Sequence, residues 1–200
     1  MHFKWVFLFS LLGGSLLLAN IGTKGFKDYA HNRYFVETGT YLGTGIEKAL
    51  KAKFKYIRSI EYDPALFETS KKRFKKKKHV TLYQGNSAKD LYAMIQDIKE
   101  QITFWLDAHR YPAKEDGNKN CPLLEELDQI AKHPIKTHTI LIDDLHCCGT
   151  LAFDHLTEKD LIDKIKTINP DYVIEHVPGG DKNEYPKNVL VAYIPKKHKK

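Results

Sequence analysis

From residue 34 onward, short apolar runs alternate with segments whose apolar residues recur at helical spacing. The runs predict strands at residues 34–37, 56–61, 80–84, 102–107, 139–143, 172–176 and 189–194. Such alternation is typical of a parallel sheet covered by helices on both faces. The last two runs are joined by PGGDKNEYPKN, which predicts a loop and therefore an antiparallel hairpin. The predicted fold class is α/β: a doubly wound, mostly parallel seven-stranded sheet with a C-terminal antiparallel hairpin.

The chain of 200 residues suits one folded domain, which we expect at residues 30–195. Residues 1–25 are set apart as a hydrophobic signal or anchor segment, because residues 5–19 read WVFLFSLLGGSLLLA. This run fits a signal-peptide core better than a full membrane span. No clean small-x-small cleavage site follows it, so a cleaved signal and an uncleaved anchor both stay open. Residues 196–200 form a basic tail.

The net charge of +7 is concentrated in two lysine runs, KKRFKKKK at residues 71–78 and KKHKK at the C-terminus. A solvated helix end and tail are the simplest interpretation, and association with an anionic membrane is the alternative. No aromatic stripe accompanies the lysines to stack bases, so nucleic acid is not an expected partner. Cys121, Cys147 and Cys148 form neither a disulfide framework nor a zinc pattern, which favours thiols in a reducing compartment.

Three helix starts are predicted from side chains that can cap a helix. Asp63 precedes a proline, a common arrangement at a helix N-terminus. Ser87 and Thr157 each precede an apolar stripe of helical period. We therefore expect helices to begin at these three positions.

The stretch ETGTYLGTG follows the first predicted strand, where ligands bind in sheets of this class. Its glycines, Gly39, Gly43 and Gly45, depart from the G-x-G-x-x-G spacing of a dinucleotide loop, and the P-loop lysine is missing. Glu37 would repel a phosphate and suit a cationic ligand. Glu61 ends the next strand, where a carboxylate can accept both hydroxyls of a ribose. A positively charged nucleoside without phosphates describes S-adenosylmethionine.

At this point the sequence resembles the class I S-adenosylmethionine-dependent methyltransferases, over residues 30–195 and with a Rossmann-like sheet. Their first motif, an acid followed by Gly-x-x-x-Gly, is matched by Glu37, Gly39 and Gly43. YQGNSAKDL resembles their third motif, with Asn86 in place of the commoner aspartate. The resemblance implies cofactor contacts from Glu37, Gly39, Thr40, Gly43, Glu61, Tyr62, Asn86, Ser87 and Asp107.

Two further strand ends carry polar groups, in ITFWLDAHR and TILIDDLHC. Adjacent parallel strands would bring Asp107, Asp143 and Asp144 to one edge of the sheet. Three such carboxylates repel one another unless a cation neutralises them, and oxygen ligands suit Mg²⁺ or a similar divalent ion. His146 and Cys147 are near enough in the chain to line this site.

The acids resemble the metal set of the metal-dependent O-methyltransferases, most closely the macrocin-type sugar O-methyltransferases. That resemblance implies Asp107, Asp143 and Asp144 as metal ligands. The family places an acid proposed as general base two residues after the first ligand, and here that position holds His109. It further implies methyl transfer to a small diol or catechol-like acceptor, which we expect residues 111–122 to select.

Two alternatives stay open: a metal-independent methyltransferase of the same fold, and a non-catalytic membrane-associated protein that keeps the fold. Because S-adenosylmethionine is made in the cytosol, an anchored domain should face the cytoplasm, whereas a cleaved signal would export it. The sequence leaves the acceptor and the oligomeric state, a homodimer included, undecided.

Overall fold

The computed structural model describes residues 23–179 and 185–195. The strands are β1 (Tyr34–Thr38), β2 (Tyr56–Glu61), β3 (Val80–Gln84), β4 (Ile102–Leu106), β5 (Thr139–Ile142), β6 (Val173–Gly179) and β7 (Tyr185–Tyr193). The helices are α1 (Thr23–Asp28), α2 (Thr44–Lys51), α3 (Pro64–Phe74), α4 (Ser87–Ile95), α5 (Leu123–Lys132) and α6 (Glu158–Ile168). Two short 3-10 helices, Leu145–Cys147 and Leu151–Phe153, follow β5.

The strands form one seven-stranded sheet in the order β3-β2-β1-β4-β5-β7-β6. Strands β1 to β5 run parallel, and β7 pairs antiparallel with both β5 and β6. The predicted fold class is therefore confirmed, including the terminal hairpin. The order reverses between β1 and β4, which is the switch point where sheets of this kind bind ligands.

Helices cover both faces of the sheet. Alternate residues of each central strand point to opposite faces, so each central strand contributes apolar side chains to two buried layers. On one face Phe35 and Trp105 pack with α1, α2 and α3. On the other face Val36 and Phe104 pack with α4, α5 and α6. These two buried layers fix the strands whose ends carry the predicted site residues.

Helix capping agrees with two of the three predicted starts. Asp63 accepts hydrogen bonds from the backbone N–H groups of Ala65 and Leu66. Thr157 forms a capping box with Asp160. The prediction for Ser87 was wrong by one residue, because Asn86 is the N-cap of α4 and accepts a hydrogen bond from Ala88 N. Asn86 has the extended backbone that an N-cap requires, whereas Ser87 is already helical.

The hairpin departs from prediction in its loop. Residues 178–179 and 185–188 of the predicted loop belong to strands, since β6 extends to Gly179 and β7 begins at Tyr185. The turn-forming residues of this stretch predicted a loop, but the pairing between β6 and β7 stabilises extended backbone there. At the other end, α1 lies ahead of residue 30 and buries Phe26 against the sheet. Residues 1–22 and the tail at 196–200 lie outside the described residues.

Among residues 23–179 and 185–195, no helix has both the length and the apolar composition that crossing a bilayer requires.

Candidate functional site

The polar residues predicted to bind ligands follow β1, β2, β4 and β5 at the carboxyl edge of the sheet. Gly39 adopts a φ of +79° there, and a Cβ on it would lie 2.2 Å from the backbone oxygen of Asp107. Only glycine, which has no Cβ, allows the two backbone segments to come this close. The glycine therefore clamps the β1–α2 loop onto the end of β4 and brings the two halves of the predicted site together. Gly43, the N-cap of α2, closes this loop.

Glu37 lies beneath the loop rather than in the open cleft, with 1% of its surface exposed. The Ser59 hydroxyl donates to Glu37 Oε2 at 2.6 Å, and the hydroxyl of buried Thr40 lies 2.6 Å from Ser59 Oγ. A Cβ on Gly45 would come within 1.8 Å of Glu37 Oε1, so the glycine makes room for this carboxyl group. Burial raises the pKa of Glu37 to about 8, although the Ser59 hydrogen bond opposes the shift.

Glu61 ends β2 and is held by two backbone donors. Tyr41 N donates to Glu61 Oε2 at 2.7 Å and Asp63 N donates to Oε1 at 2.9 Å. A carboxylate oxygen has two acceptor positions, so each oxygen keeps one for a further donor. Next to it, Tyr62 is 74% exposed. This pairing of a fixed carboxylate with an exposed ring suits a ribose and its base.

A cluster of titratable side chains lies after β4 and β5. Ligand atoms of Asp107, His109 and Asp144 lie within 4.8 Å of one another. His109 Nδ1 is 3.7 Å from Asp107 Oδ1, and His109 Nε2 is 3.6 Å from Asp144 Oδ2. The imidazole also packs edge-to-face on Phe153, with ring centroids 5.4 Å apart. The structure thus brings together two of the three predicted metal ligands and the predicted base.

The carboxyl groups of this cluster resist ionisation. Burial raises the pKa of Asp107 well above its ordinary value, and the nearby Asp144 and Glu37 raise it further. Burial likewise raises the pKa of Asp144, although His109 opposes that shift. Burial lowers the pKa of His109, so its neutral form is favoured. A cation in this cluster would relieve the repulsion between the two carboxylates.

Asp143, the remaining predicted ligand, lies more deeply than the other two. Its Oδ1 accepts a hydrogen bond from Asp144 N at 2.9 Å, and its buried Oδ2 has no hydrogen-bond partner. Burial raises its pKa well above the ordinary value, with Asp107 and Asp144 adding to the shift. Asp143 is outside the close set of ligand atoms, although Asp107 and Asp144 are near enough to influence its ionisation.

Several solved structures that share this architecture are methyltransferases. A Podospora anserina methyltransferase bound to S-adenosylhomocysteine aligns with a TM-score of 0.59 and 15% identity, over 87% of this chain and 76% of its own. An O-methyltransferase from Bacillus cereus in complex with S-adenosylhomocysteine aligns with a TM-score of 0.57 and 12% identity, over 86% and 79%. The O-methyltransferase TomG from Streptomyces achromogenes, in complex with S-adenosylmethionine, gives 0.57 and 12%, over 87% and 78%.

The chain has the Rossmann-like methyltransferase fold. At these identities the likeness establishes the fold. Neither a protein-family model nor a curated protein matches the sequence itself.

Within this methyltransferase fold, sequence reasoning missed Asn188. This buried residue of β7 donates from Nδ2 to Asp144 Oδ1 at 3.1 Å. Its Oδ1 accepts from His146 N at 3.1 Å and lies 2.7 Å from His146 Nδ1. Asn188 thereby orients Asp144 and His146 from β7. The sequence feature that could have pointed to Asn188 is its position as a lone amide at the start of the apolar run NVLVAYI.

Sequence reasoning also missed Glu126, a fully buried residue of α5. Burial raises its pKa to about 7, and the side chains of Ser87 and Thr38 oppose the shift. Ser87, predicted to bind the cofactor, is itself buried at the start of α4. The signal was present, because Glu126 lies three residues after Leu123 and four before Ile130, on the apolar face of the helix.

The loop between β4 and α5, residues 111–122, is held by hydrogen bonds to Asp154. The carboxylate of Asp154 accepts hydrogen bonds from Asn120 N at 3.0 Å and from Cys121 N at 2.9 Å. Asn120 in turn bonds the backbone of Lys114 in both directions, at 2.8 and 3.1 Å. Tyr111, at the start of the loop, is 76% exposed. The loop thus presents an aromatic side chain on a tethered backbone beside His109.

Proposed function

We propose that the protein transfers the methyl group of S-adenosylmethionine to a hydroxyl oxygen of a small acceptor, with a divalent metal ion assisting. One observation carries the proposal: the close set of Asp107, His109 and Asp144 lies at the switch point of a methyltransferase fold, on the sheet edge where β2 ends in Glu61. The binding of S-adenosylmethionine or S-adenosylhomocysteine by the solved neighbours supports the choice of cofactor.

The residues at the end of β2 fit this cofactor. Glu61 would accept the two ribose hydroxyls through the acceptor positions that Tyr41 N and Asp63 N leave free. The exposed ring of Tyr62 would pack on the adenine, and Asn86 and Ser87 would lie along its edge. The cofactor supplies an electrophilic methyl group on a sulfonium. The chain's main contribution is to align the acceptor oxygen with that methyl group.

The β4 and β5 ends fit a hard divalent ion. Asp107 and Asp144 would hold it, and the unpaired Oδ2 of Asp143 would complete the protein ligands. When bound, such an ion would supply the positive charge that makes a neighbouring hydroxyl more acidic. An acceptor with two adjacent oxygens, a diol or a catechol, suits an ion that keeps open coordination positions.

His109 is placed to receive the hydroxyl proton. Because burial lowers its pKa, the neutral imidazole is the resting form and can accept a proton. Asp144, 3.6 Å from Nε2, would stabilise the imidazolium that results. Phe153 keeps the ring in place during this transfer. The tethered loop at residues 111–122 would cover the acceptor and select among acceptors.

A metal-independent transferase is a second candidate because His109 lies between the two carboxylates. A protonated His109 would neutralise them without an ion. The two candidates differ in their response to chelation, since only the metal-assisted reaction needs a free divalent ion.

The test uses the full chain with labelled S-adenosylmethionine and catechol as the acceptor probe. Glu61→Ala should weaken cofactor binding by about 1.5–3 kcal/mol in calorimetry, because it removes charge-assisted hydrogen bonds. Asp144→Gly is the better metal variant, since glycine tolerates the left-handed backbone at this position (φ 57°). It should abolish Mn²⁺ binding and methyl transfer while the cofactor dissociation constant stays near the wild-type value.

Asp163→Ala, an exposed change on α6, is the control and should leave all three measurements unchanged. An unchanged cofactor affinity in Glu61→Ala would refute the ribose assignment. Full methyl transfer by the wild type in EDTA, together with full transfer by Asp144→Gly, would establish the metal-independent reaction instead.

A further inference from the structure

Seven exposed lysines form one surface at the amino edge of the sheet, opposite the candidate site. We call this surface the basic edge; its members are Lys51, Lys53, Lys55, Lys75, Lys76, Lys77 and Lys78. The first three belong to the end of α2 and the loop into β2. The other four belong to the loop between α3 and β3.

The strand pairing makes these two loops neighbours. Lys55 N donates to Arg33 O at 3.0 Å, and Ile57 N donates to His79 O at 2.9 Å. Ile57 and Val80 are partners in the register of β2 and β3. Adjacent strands lie about 4.8 Å apart, so the lysines that lead into β2 and into β3 share one continuous surface.

The charge of the basic edge is not neutralised by the protein. Within the described part of the chain, none of the seven lysines forms an ion pair, although Lys55 lies over the Tyr56 ring. The nearby acids Glu100 and Asp97 are engaged by Arg33 and Arg58. Seven lysines also equal the net charge of +7 of the whole chain. Such a concentration of one sign favours an extended anionic partner.

Both ends of the described fold lie at this same edge. Helix α1 leads into the start of β1, and β7 ends where Ala192 pairs with Ile140 near the start of β5. Beyond α1 the sequence continues backward into the apolar run at residues 5–19, and beyond Pro195 it continues into KKHKK. In the sequence, an apolar segment and a basic tail therefore join the described fold at the edge that carries the seven lysines.

We propose that the basic edge docks on an anionic lipid bilayer surface and turns the candidate active site toward the aqueous phase. Lysines near an anionic leaflet and an adjacent apolar segment are the two signals that together give stable membrane attachment. Nucleic acid would satisfy the lysines but would leave the apolar run unexplained. The anionic leaflet of a cell faces the cytoplasm, which also gives the site access to S-adenosylmethionine.

Flotation of the full chain with phosphatidylcholine vesicles, with and without phosphatidylserine, tests the proposal. Because the apolar run can partition into both vesicles, the ratio of the two partition coefficients isolates the effect of charge. The wild type should show a ratio of about tenfold or more at low salt, falling as salt screens the lysines. Two variants test the surface independently: K75Q/K76Q/K77Q/K78Q and K51Q/K53Q/K55Q.

A matched control, K89Q/K114Q/K119Q/K159Q, removes four lysines that lie toward the opposite edge. The control should keep the wild-type ratio, and each basic-edge variant should lose most of it while its circular dichroism stays that of the wild type. A wild type without preference for anionic vesicles, or basic-edge variants that keep the preference, would overturn the proposal. So would an RNA gel shift that both variants abolish without any change in the vesicle ratio.

Discussion

At the scale of single residues, two of the glycines in the glycine-rich loop meet two different structural demands. Gly39 allows the loop to touch the end of β4, and Gly45 leaves space for the carboxyl group of Glu37. The sequence indicated that glycines were needed here but assigned them all to the approach of a ligand. Glu37 was expected to meet a cation and instead lies buried on Ser59. Its predicted contact with the cofactor stays a prediction.

The buried Glu37 gives the protein a measurable pH dependence. Its pKa of about 8 exceeds the ordinary value of 4.5, so the folded state binds the proton more tightly than the unfolded state. This contribution to stability is complete below pH 4.5 and is lost as the pH rises through 8. Glu37→Gln mimics the protonated form and does not titrate. The free energy of unfolding of the wild type, relative to Glu37→Gln, should therefore fall by up to about 1.4 kcal/mol per pH unit in this range.

Urea denaturation of both proteins at several pH values between 5 and 8 measures this difference. Glu68→Gln, an exposed change on α3, should track the wild type throughout. Parallel pH profiles for the wild type and Glu37→Gln would show that Glu37 titrates normally in the folded state.

At the scale of elements, the sequence predicted the five parallel strands well and predicted poorly the elements that depend on a partner. The bounds of strands β1 to β5 were predicted to within one residue, because a short apolar run between two helical segments rarely forms anything but a strand. The short helix α1 contributes one fully buried side chain, Phe26, and gave no periodic signal. Asn188 could not be assigned to the site because only the register of β7 against β5 places it beside Asp144.

The loop at residues 111–122 supplies a prediction at this scale. Asp154 anchors it, because its carboxylate accepts hydrogen bonds from two consecutive backbone N–H groups. Asp154→Asn keeps the size and the left-handed backbone (φ 49°) but places an NH₂ group opposite a donor. We expect a loss of about 1.5–3 kcal/mol of local stability, since hydrogen bonds to a charged group are removed. Hydrogen exchange should then become faster in residues 111–122 and stay unchanged in the central strands.

The exposed pair Arg110–Asp116 in the same loop is the control for this measurement. Asp116→Asn breaks an ion pair at the surface, where such pairs contribute little. Equal exchange rates in Asp154→Asn and Asp116→Asn would mean that Asp154 does not hold the loop.

At the scale of the whole molecule, the two edges of the sheet carry different types of residue. The carboxyl edge carries the acids, the histidine and the exposed tyrosines, whereas the amino edge carries the lysines and both ends of the described chain. The parallel arrangement of β1 to β5 causes this division, because every strand starts at one edge and ends at the other. Residues of the candidate site and lysines of the basic edge can therefore be substituted independently.

The boundary of the folded domain follows from the same arrangement. Phe26 is fully buried and packs edge-to-face on Phe35 and Trp105, with ring centroids 5.1 and 5.0 Å away. A chain that begins at residue 23 keeps this contact, whereas one that begins at residue 30 leaves an apolar cavity beside two aromatic rings. Deleting a buried phenylalanine side chain costs about 3–5 kcal/mol. Removal of residues 1–22 should therefore leave the melting temperature unchanged, while removal of residues 1–29 should lower it by many degrees.

Phe26→Ala in the chain that begins at residue 23 separates the side chain from the rest of α1. It should reproduce most of the loss seen on removing residues 1–29, because the ring is the part of the helix buried in the core. Phe67→Ala, a partly exposed phenylalanine on α3, is the matched control and should cost much less. If the two shortened chains had the same melting temperature, α1 would add nothing to the fold, and the domain would begin near residue 30 as the sequence alone suggested.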